Sequence, residues 1–257
     1  VVENNSGSGN VSYAWYSVSG EQQVGLDTDY IRNAGEYRVT ATVAQTNNYL
    51  GGTVSHDFTV AKNEVTVGTA AYEFAYGVLT TTNANNATNY PNAISGFYGA
   101  EADSSFELSL GYSGQVTDGY VNAGEYDLTV TLIDAGATNY AFNIDGTLSG
   151  TATIPVVVSQ YTGNTWTAEY SNPGWTYYTY PANTITNAET ATTAKFGTPT
   201  FAYEVMGADG SWTAYSGDWA NATPAGTYRV TVTVAETDNY NGLSEEYQFV
   251  VAKRDVT

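Results

Sequence analysis

Apolar and polar residues alternate most cleanly in three stretches of the chain. In the first, Tyr37, Val39, Ala41 and Val43 share one parity, while Arg38, Thr40 and Thr42 share the other. The second repeats this with Tyr126, Leu128, Val130 and Leu132, and the third with Tyr228, Val230, Val232 and Val234. A period of two marks a strand with one face on a core and one in water, as in an antiparallel sheet. An Asn-Tyr pair follows each stretch: Asn48-Tyr49, Asn139-Tyr140 and Asn239-Tyr240. Asn tolerates left-handed backbone and bonds its own main chain, so a turn is predicted there, with the Tyr ring capping the core. Closing strands are predicted at Phe58-Thr59-Val60, Val156-Val157-Val158 and Phe249-Val250-Val251. Looser alternation at Tyr13–Val18, Phe106–Leu110 and Phe201–Val205 predicts a pairing strand ahead of each tyrosine.

These stretches are copies of one unit. Residues 34–66 align with 225–257 without a gap, and 19 of the 33 positions are identical. A more divergent copy starts at Ala123, so Tyr37, Tyr126 and Tyr228, with Tyr49, Tyr140 and Tyr240, are the anchors of a repeat. The Val-Ala-Lys junctions place modules at 1–62, 63–160 and 161–253, with 254–257 beginning another. Only 36 residues precede Tyr37, against 63 between the start of the second module and Tyr126. The difference is about two strands with their turns. The first module is therefore expected to be shortened or trimmed, or else a short variant using residues 1–10 as a partial edge.

Composition supports strands and restricts partners. Tyr, Thr, Asn and Gly are plentiful and charged residues are only 13%, a mixture that favours pleated surfaces joined by turns. The net charge of −19 repels phosphate backbones and anionic lipid, so neither nucleic acid nor a membrane surface is expected as partner. No stretch approaches the length of a membrane-spanning helix, and no membrane insertion is expected in this segment. Cysteine is absent, which argues against a disulfide-stapled vertebrate module. That absence fits a cytosolic protein and a bacterial surface protein equally well.

The run Asn33-Ala34-Gly35-Glu36-Tyr37-Arg38-Val39 resembles the start of strand F in immunoglobulin-like domains, where a tyrosine corner sits. Val39, Leu128 and Val230 stand where that family has a cysteine. Trp15 resembles its strand C tryptophan, with Leu108 and Tyr203 as the expected equivalents. Together with the Asn-Tyr turn, the Ala-Lys ending and Tyr76-Gly77, the chain resembles the Ig-like and MBG/YDG-type repeats of bacterial surface proteins and adhesins. The resemblance implies an extracellular, bacterial cell-surface location, a stalk or adhesive role, and further repeats of the same chain as neighbours. The fold expected is all-β, as tandem Ig-like antiparallel β-sandwich modules. β-grasp-like modules are the alternative, which two or three short helices would favour.

No residue set points to catalysis. His56 is the lone histidine and aligns with Tyr247, on the face carrying Phe58 and Val60, so it reads as a packing position. Without Cys, and with one His, thiolate and imidazole metal sites are excluded. Oxygen-ligand calcium sites stay open at Asp27-Thr28-Asp29, Asp118, Thr46-Asn47-Asn48 and Thr237-Asp238-Asn239, although turn chemistry accounts for these residues without a metal. The surface-protein resemblance raises an internal Lys–Asn cross-link. Gln160 stands where Lys62 and Lys253 stand and cannot act as its nucleophile, so the junction lysines read as linker residues, and Lys195 is the one other lysine. Exposed aromatics at Trp175, Tyr177 and Trp212, with Trp166 and Trp219 nearby, could stack on sugar rings. Core packing competes for the same side chains. The sequence therefore leads to a non-catalytic stalk or adhesin segment, with binding of a host or environmental glycan or protein as the alternative.

Overall fold

The computed structural model describes residues 9–26, 31, 33–98, 105–171, 184–217, 219 and 223–253. The protein is all-β and antiparallel in its principal sheets, in the manner of tandem Ig-like sandwich modules. In the first repeat, β1 (Val11–Ser19), β2 (Gln22–Leu26), β3 (Gly35–Val43) and β4 (Gly52–Val60) form one sheet in the order β2-β1-β3-β4. The alternation seen in the sequence sets its faces. Tyr37 and Ala41 are buried, Phe58 stacks on Tyr37 at 5.8 Å, and Trp15 meets Phe58 edge-on at 6.1 Å.

The second repeat adds β5 (Asn63–Val67), β6 (Tyr72–Ala75), β7 (Ile94–Ser95), β8 (Phe106–Leu110), β9 (Val116–Thr117), β10 (Tyr120–Val121), β11 (Gly124–Leu132), β12 (Tyr140–Ile144), β13 (Thr147–Ser149) and β14 (Thr151–Ser159). Two four-stranded sheets result, β6-β14-β11-β8 and β13-β12-β5-β7, in which β5 lies parallel to β12. The apolar parity of β11 and β14 is fully buried, with Leu128, Val130, Ile154 and Val156 at 0% exposure. The β9–β10 hairpin turns on Asp118 (φ 52°) and Gly119 (φ 83°), a pair of positive φ values that suits the right-handed twist of the flanking strands. Turn geometry thus accounts for Asp118.

In the third repeat, β15 (Trp166–Ala168) pairs with β16 (Thr193–Ala194). There β17 (Thr200–Met206), β18 (Trp212–Ala214), β19 (Gly226–Val234) and β20 (Leu243–Val251) form a sheet in the order β18-β17-β19-β20. Its apolar face carries Tyr228, Val230, Val232, Phe249 and Val251, all nearly or wholly buried. Tyr170, with Ile185 and Ala188 of helix α2 (Thr184–Ala191), covers that face. Short helices are what the β-grasp alternative expected. Among the described residues two are present, with a 3-10 turn at Ala87–Asn89, but a helix packs into the core of a sheet only in this repeat. The second repeat is built on two four-stranded sheets, and its helix α1 (Asp134–Asn139) is a connection of less than two turns.

Compactness does not follow the repeat boundaries. One compact unit comprises 1–72, 82–111 and 126–156, and the other 73–81, 112–125 and 157–257. The second repeat is thus divided, and each unit contains one linker between repeats whole.

Register corrects one predicted equivalence. Trp15 lies opposite Val39 and Tyr203 opposite Val230, but the residue opposite Leu128 is Leu110. Leu108 lies opposite Val130, two positions on, so Leu110 is the structural counterpart of Trp15. Alternation with period two leaves a two-residue shift invisible, because it returns every side chain to the same face.

Candidate functional site

The most completely built polar constellation is the junction between successive repeats. It occurs twice with the same chemistry. At the first junction the Ala34 N–H donates to Asn139 Oδ1 at 3.0 Å, and Asn139 Nδ2 donates to Asn33 Oδ1 at 3.3 Å. The Lys62 ammonium donates to the Ala137 carbonyl, and Asn63 begins a parallel pairing opposite Tyr140. At the second junction the Ala123 N–H donates to Asn239 Oδ1 at 2.7 Å, and Asn239 Nδ2 to Asn122 Oδ1 at 3.1 Å. Gln160 Nε2 donates to the Thr237 carbonyl at 2.7 Å, and Tyr161 bridges in parallel to Tyr240. Ala137 and Thr237 each lie two residues before the junction Asn. The linker residue, the Ala at the start of the long strand and the Asn of the following repeat therefore meet in one pattern.

This corrects the reading of the Asn-Tyr pairs. An Asn bonding its own turn would leave its amide local; the amides of Asn139 and Asn239 instead reach back to the preceding repeat. Asn is suited to this because its side chain offers an acceptor and a donor at once, matching an N–H and an amide oxygen. Glutamine replaces lysine at position 160 at no loss of geometry, since both can donate to a carbonyl. The junction lysine is a linker residue, as the alignment suggested, with its ammonium engaged by main chain.

An aromatic cluster backs the second junction. Tyr76 is 1% exposed and meets Phe196 at 5.0 Å, Tyr120 at 5.8 Å and Tyr240 at 6.0 Å. Phe196 stacks on Tyr240 at 5.8 Å and meets Tyr161 at 5.4 Å. The Tyr76 hydroxyl donates to the Thr117 carbonyl at 3.1 Å, and burial raises its pKa. Gly77 has φ 92°, and a Cβ there would stand 2.5 Å from Phe196 Cζ. The Tyr76-Gly77 pair is thus placed by close approach of Phe196, which only a glycine permits.

The strand anchors act within their own repeats. Tyr37 donates its hydroxyl to the Asn33 carbonyl and Tyr228 to the Pro224 carbonyl, both at 2.8 Å and both four residues upstream. This is the geometry of a tyrosine corner. Tyr126, Tyr140 and Tyr240 are buried, whereas Tyr49 is 53% exposed and caps no core. Tyr140 packs on Phe97 and Tyr240 on Phe196. Both phenylalanines belong to the upstream half of their repeats.

The other candidates separate clearly. Trp166 and Trp219 pack against the buried clusters of the third repeat. Trp212 sits on edge strand β18, half-buried, with the Arg229 guanidinium 4.6 Å over its ring. Arg229 also binds Glu204 and Glu246, so the tryptophan belongs to a polar network on the outer face. Trp175 and Tyr177 lie outside the described residues, as do Asp27, Thr28 and Asp29. Within the core, burial raises the Tyr170 and Tyr203 phenols, and Tyr203 donates to Glu189 Oε1 at 2.8 Å.

His56 is exposed on β4 opposite Val39, although its counterpart Tyr247 packs against Tyr170 at 5.5 Å. No layer equivalent to Tyr170 and α2 lies over the first sheet among its described residues. An open groove of about 610 Å³ remains between Tyr13, Trp15, Val39, Ala41, Val54 and His56. Among the described residues no three His, Cys, Asp or Glu side chains gather in a way that could hold a metal. The Asn239 amide in one of the turns considered for calcium is committed to the junction.

No family model matches this chain, and no curated protein does. Among solved structures, the chain is similar to zebrafish RET cadherin-like domains 1 to 4, at 10% identity and a TM-score of 0.25 over 95% of its length. It is also similar to the SGBP-B protein of a Bacteroides ovatus mixed-linkage glucan utilization locus, solved with a mixed-linkage heptasaccharide, at 11% identity and a TM-score of 0.15 over 95%. It spans 66% and 60% of those two chains. No helix among the described residues is long and apolar enough to cross a membrane.

Proposed function

We propose that this chain is a non-catalytic repeat segment of a secreted or cell-wall-attached bacterial surface protein, serving as a stalk or adhesin spacer. The observation that carries this reading is the duplicated junction: two linkers that differ in sequence are tied by the same set of side-chain and main-chain bonds. A linker that merely connects domains needs no such bonds, and flexible linkers are typically built from Gly, Ser or charge. Bonds that recur at each boundary restrain each repeat against the next, as a spacer of defined reach requires. The MBG/YDG-type resemblance and the acidic, cysteine-free composition support the bacterial surface as its location.

Small-angle scattering on the whole chain tests the spacer. The native chain is expected to give one sharply defined maximum dimension. Asn139→Ala combined with Asn239→Ala is expected to broaden the distance distribution. A native chain that already scatters as freely jointed repeats would sink the idea.

A second reading, glycan binding, rests on Trp212 beside hydrogen-bonding Arg229, Glu204 and Glu246. It predicts retardation of the chain in polysaccharide affinity gels that Trp212→Ala abolishes. Equal mobility with and without polysaccharide would eliminate it.

A further inference from the structure

The pair Asn241-Gly242 is the one place in the chain where an asparagine precedes a glycine. Asparagine is a chemically labile side chain, and a glycine leaves the following main-chain nitrogen least hindered. Neither residue is incidental to the fold. A Cβ at Gly242 would stand 2.8 Å from the Val234 carbonyl oxygen and 2.9 Å from the Glu236 nitrogen, closer than a side chain allows. Gly51 of the first repeat meets Val43 and Gln45 at the same two distances, but there Leu50 comes before it.

Asn241 is held by the segment that opens the third repeat. Its N–H donates to the Tyr161 carbonyl, its Oδ1 accepts the Asn164 N–H, and its carbonyl accepts Asn164 Nδ2, all at 3.1 Å. Asn164 is 5% exposed, and its side chain also bonds both main-chain groups of Phe196. The carboxamide of Asn241 is thus fixed by residues 161–164, the same segment that the Tyr161–Tyr240 bridge fastens. Opening that segment frees the side chain and the main chain of Asn241 together.

We infer that Asn241 is a self-modification site, at which opening of the 161–164 segment is converted into a lasting covalent change. The freed Gly242 nitrogen attacks Asn241 Cγ, and the new N–Cγ bond forms as the Cγ–Nδ2 bond breaks. The proton of the Gly242 N–H leaves with Nδ2 as ammonia, and a five-membered succinimide remains. Water then opens the ring at either carbonyl. Cleavage at Cγ gives aspartate; cleavage at the main-chain carbonyl gives isoaspartate, in which the chain runs through Cγ. Isoaspartate adds one carbon to the main chain just ahead of Gly242, where the close approach to Val234 and Glu236 leaves no slack. The segment then cannot seat as before. The inference stands on the third repeat alone and does not depend on a spacer role.

Peptide mass spectrometry after incubation in mildly alkaline buffer measures deamidation at Asn241. Hydrogen exchange at the Tyr161 amide, which donates to the Asn239 carbonyl, measures opening of the segment. The folded chain is expected to react at Asn241 about a hundredfold more slowly than the chain in guanidinium chloride, the combined worth of three net hydrogen bonds. Asn164→Ala is expected to speed the reaction about fivefold or more while exchange in β19 stays unchanged. The isoaspartate form, separated by its added charge on an anion-exchange column, is expected to exchange faster at Tyr161 and no faster in β19. Should Asn164→Ala also expose β19, the native chain in a sub-denaturing guanidinium series decides, and deamidation must follow opening at Tyr161 ahead of β19. Equal rates in the folded and unfolded chain, or no acceleration in an intact Asn164→Ala, would overturn the inference. So would deamidation that rises only with β19, or an isoaspartate form whose Tyr161 amide is as protected as before.

Discussion

Tyr228→Ala is expected to cost the third repeat about 3–5 kcal/mol, the range for emptying a fully buried aromatic site. Tyr228 has no exposed surface, stacks on Phe249 at 5.6 Å, and meets Tyr215 at 5.1 Å and Trp219 at 5.3 Å. Its removal leaves a cavity among three aromatic neighbours and strips the Pro224 carbonyl of its donor. Chemical denaturation followed by tryptophan fluorescence measures the loss, because Trp219 reports from inside the affected cluster. Tyr228→Phe keeps the ring and forfeits only the hydrogen bond, so about 1 kcal/mol is expected. Tyr37→Ala provides the contrast. Tyr37 makes the same corner and the same stack, on Phe58, but on a sheet face over which the described residues place no layer like that of the third repeat. A loss of about 2 kcal/mol is expected there, since an open site relaxes or fills with water more readily than a sealed one. Equal losses at the two tyrosines would show that the first sheet is as well covered as the third.

The second large effect lies at the junction. Asn239→Ala should destabilise the unit containing residues 157–257 by about 2–3 kcal/mol, because it leaves the Ala123 N–H without its acceptor in a site where Asn239 is only 9% exposed. Hydrogen exchange at the Ala123 amide should accelerate more than exchange in β19 of the third repeat. That difference separates junction opening from global unfolding. Asn239→Asp keeps an acceptor for the Ala123 N–H and loses the donor to Asn122, so an intermediate loss is expected. Asn139→Ala should cost less, since Asn139 is half-buried and water can replace its bonds. Unchanged exchange at Ala123 in Asn239→Ala would mean that the side-chain bond does not hold the junction.

The three long strands, their buried parity and the corner tyrosines were legible in the sequence because alternation and identity are local or periodic signals. The junction was half legible. Its residues stood out as repeated Asn-Tyr pairs and Val-Ala-Lys endings, yet the Asn was assigned to its own turn. Nothing in a linear pattern distinguishes an amide that folds back from one that reaches a main-chain N–H more than a hundred residues away. One signal would have helped. A turn Asn repeated together with a linker side chain that alternates between Lys and Gln indicates a shared acceptor rather than a charge requirement, and hence a donor to carbonyl.

The same division runs through the remaining candidates. Copy number follows from counting. That Tyr13, Trp15 and His56 line an open groove, and that Tyr49 is exposed, follows only from the arrangement in space, as the contrast with the covered face of the third repeat shows. Trp166, Trp212 and Trp219 look alike as a cluster of aromatics in sequence. The sheet separates them, because strand pairing puts Trp212 on the outer face beside Arg229 while the other two pack inward.

The sequence by itself determined an all-β chain of related repeats, since burial parity, turn chemistry and self-similarity are properties of near neighbours along the chain. Tertiary structure alone decided where one repeat grips the next, which tyrosines are sealed and which lie open. These outcomes depend on a second surface arriving opposite the first, and a side chain's hydrogen-bond partner is chosen in space rather than along the chain.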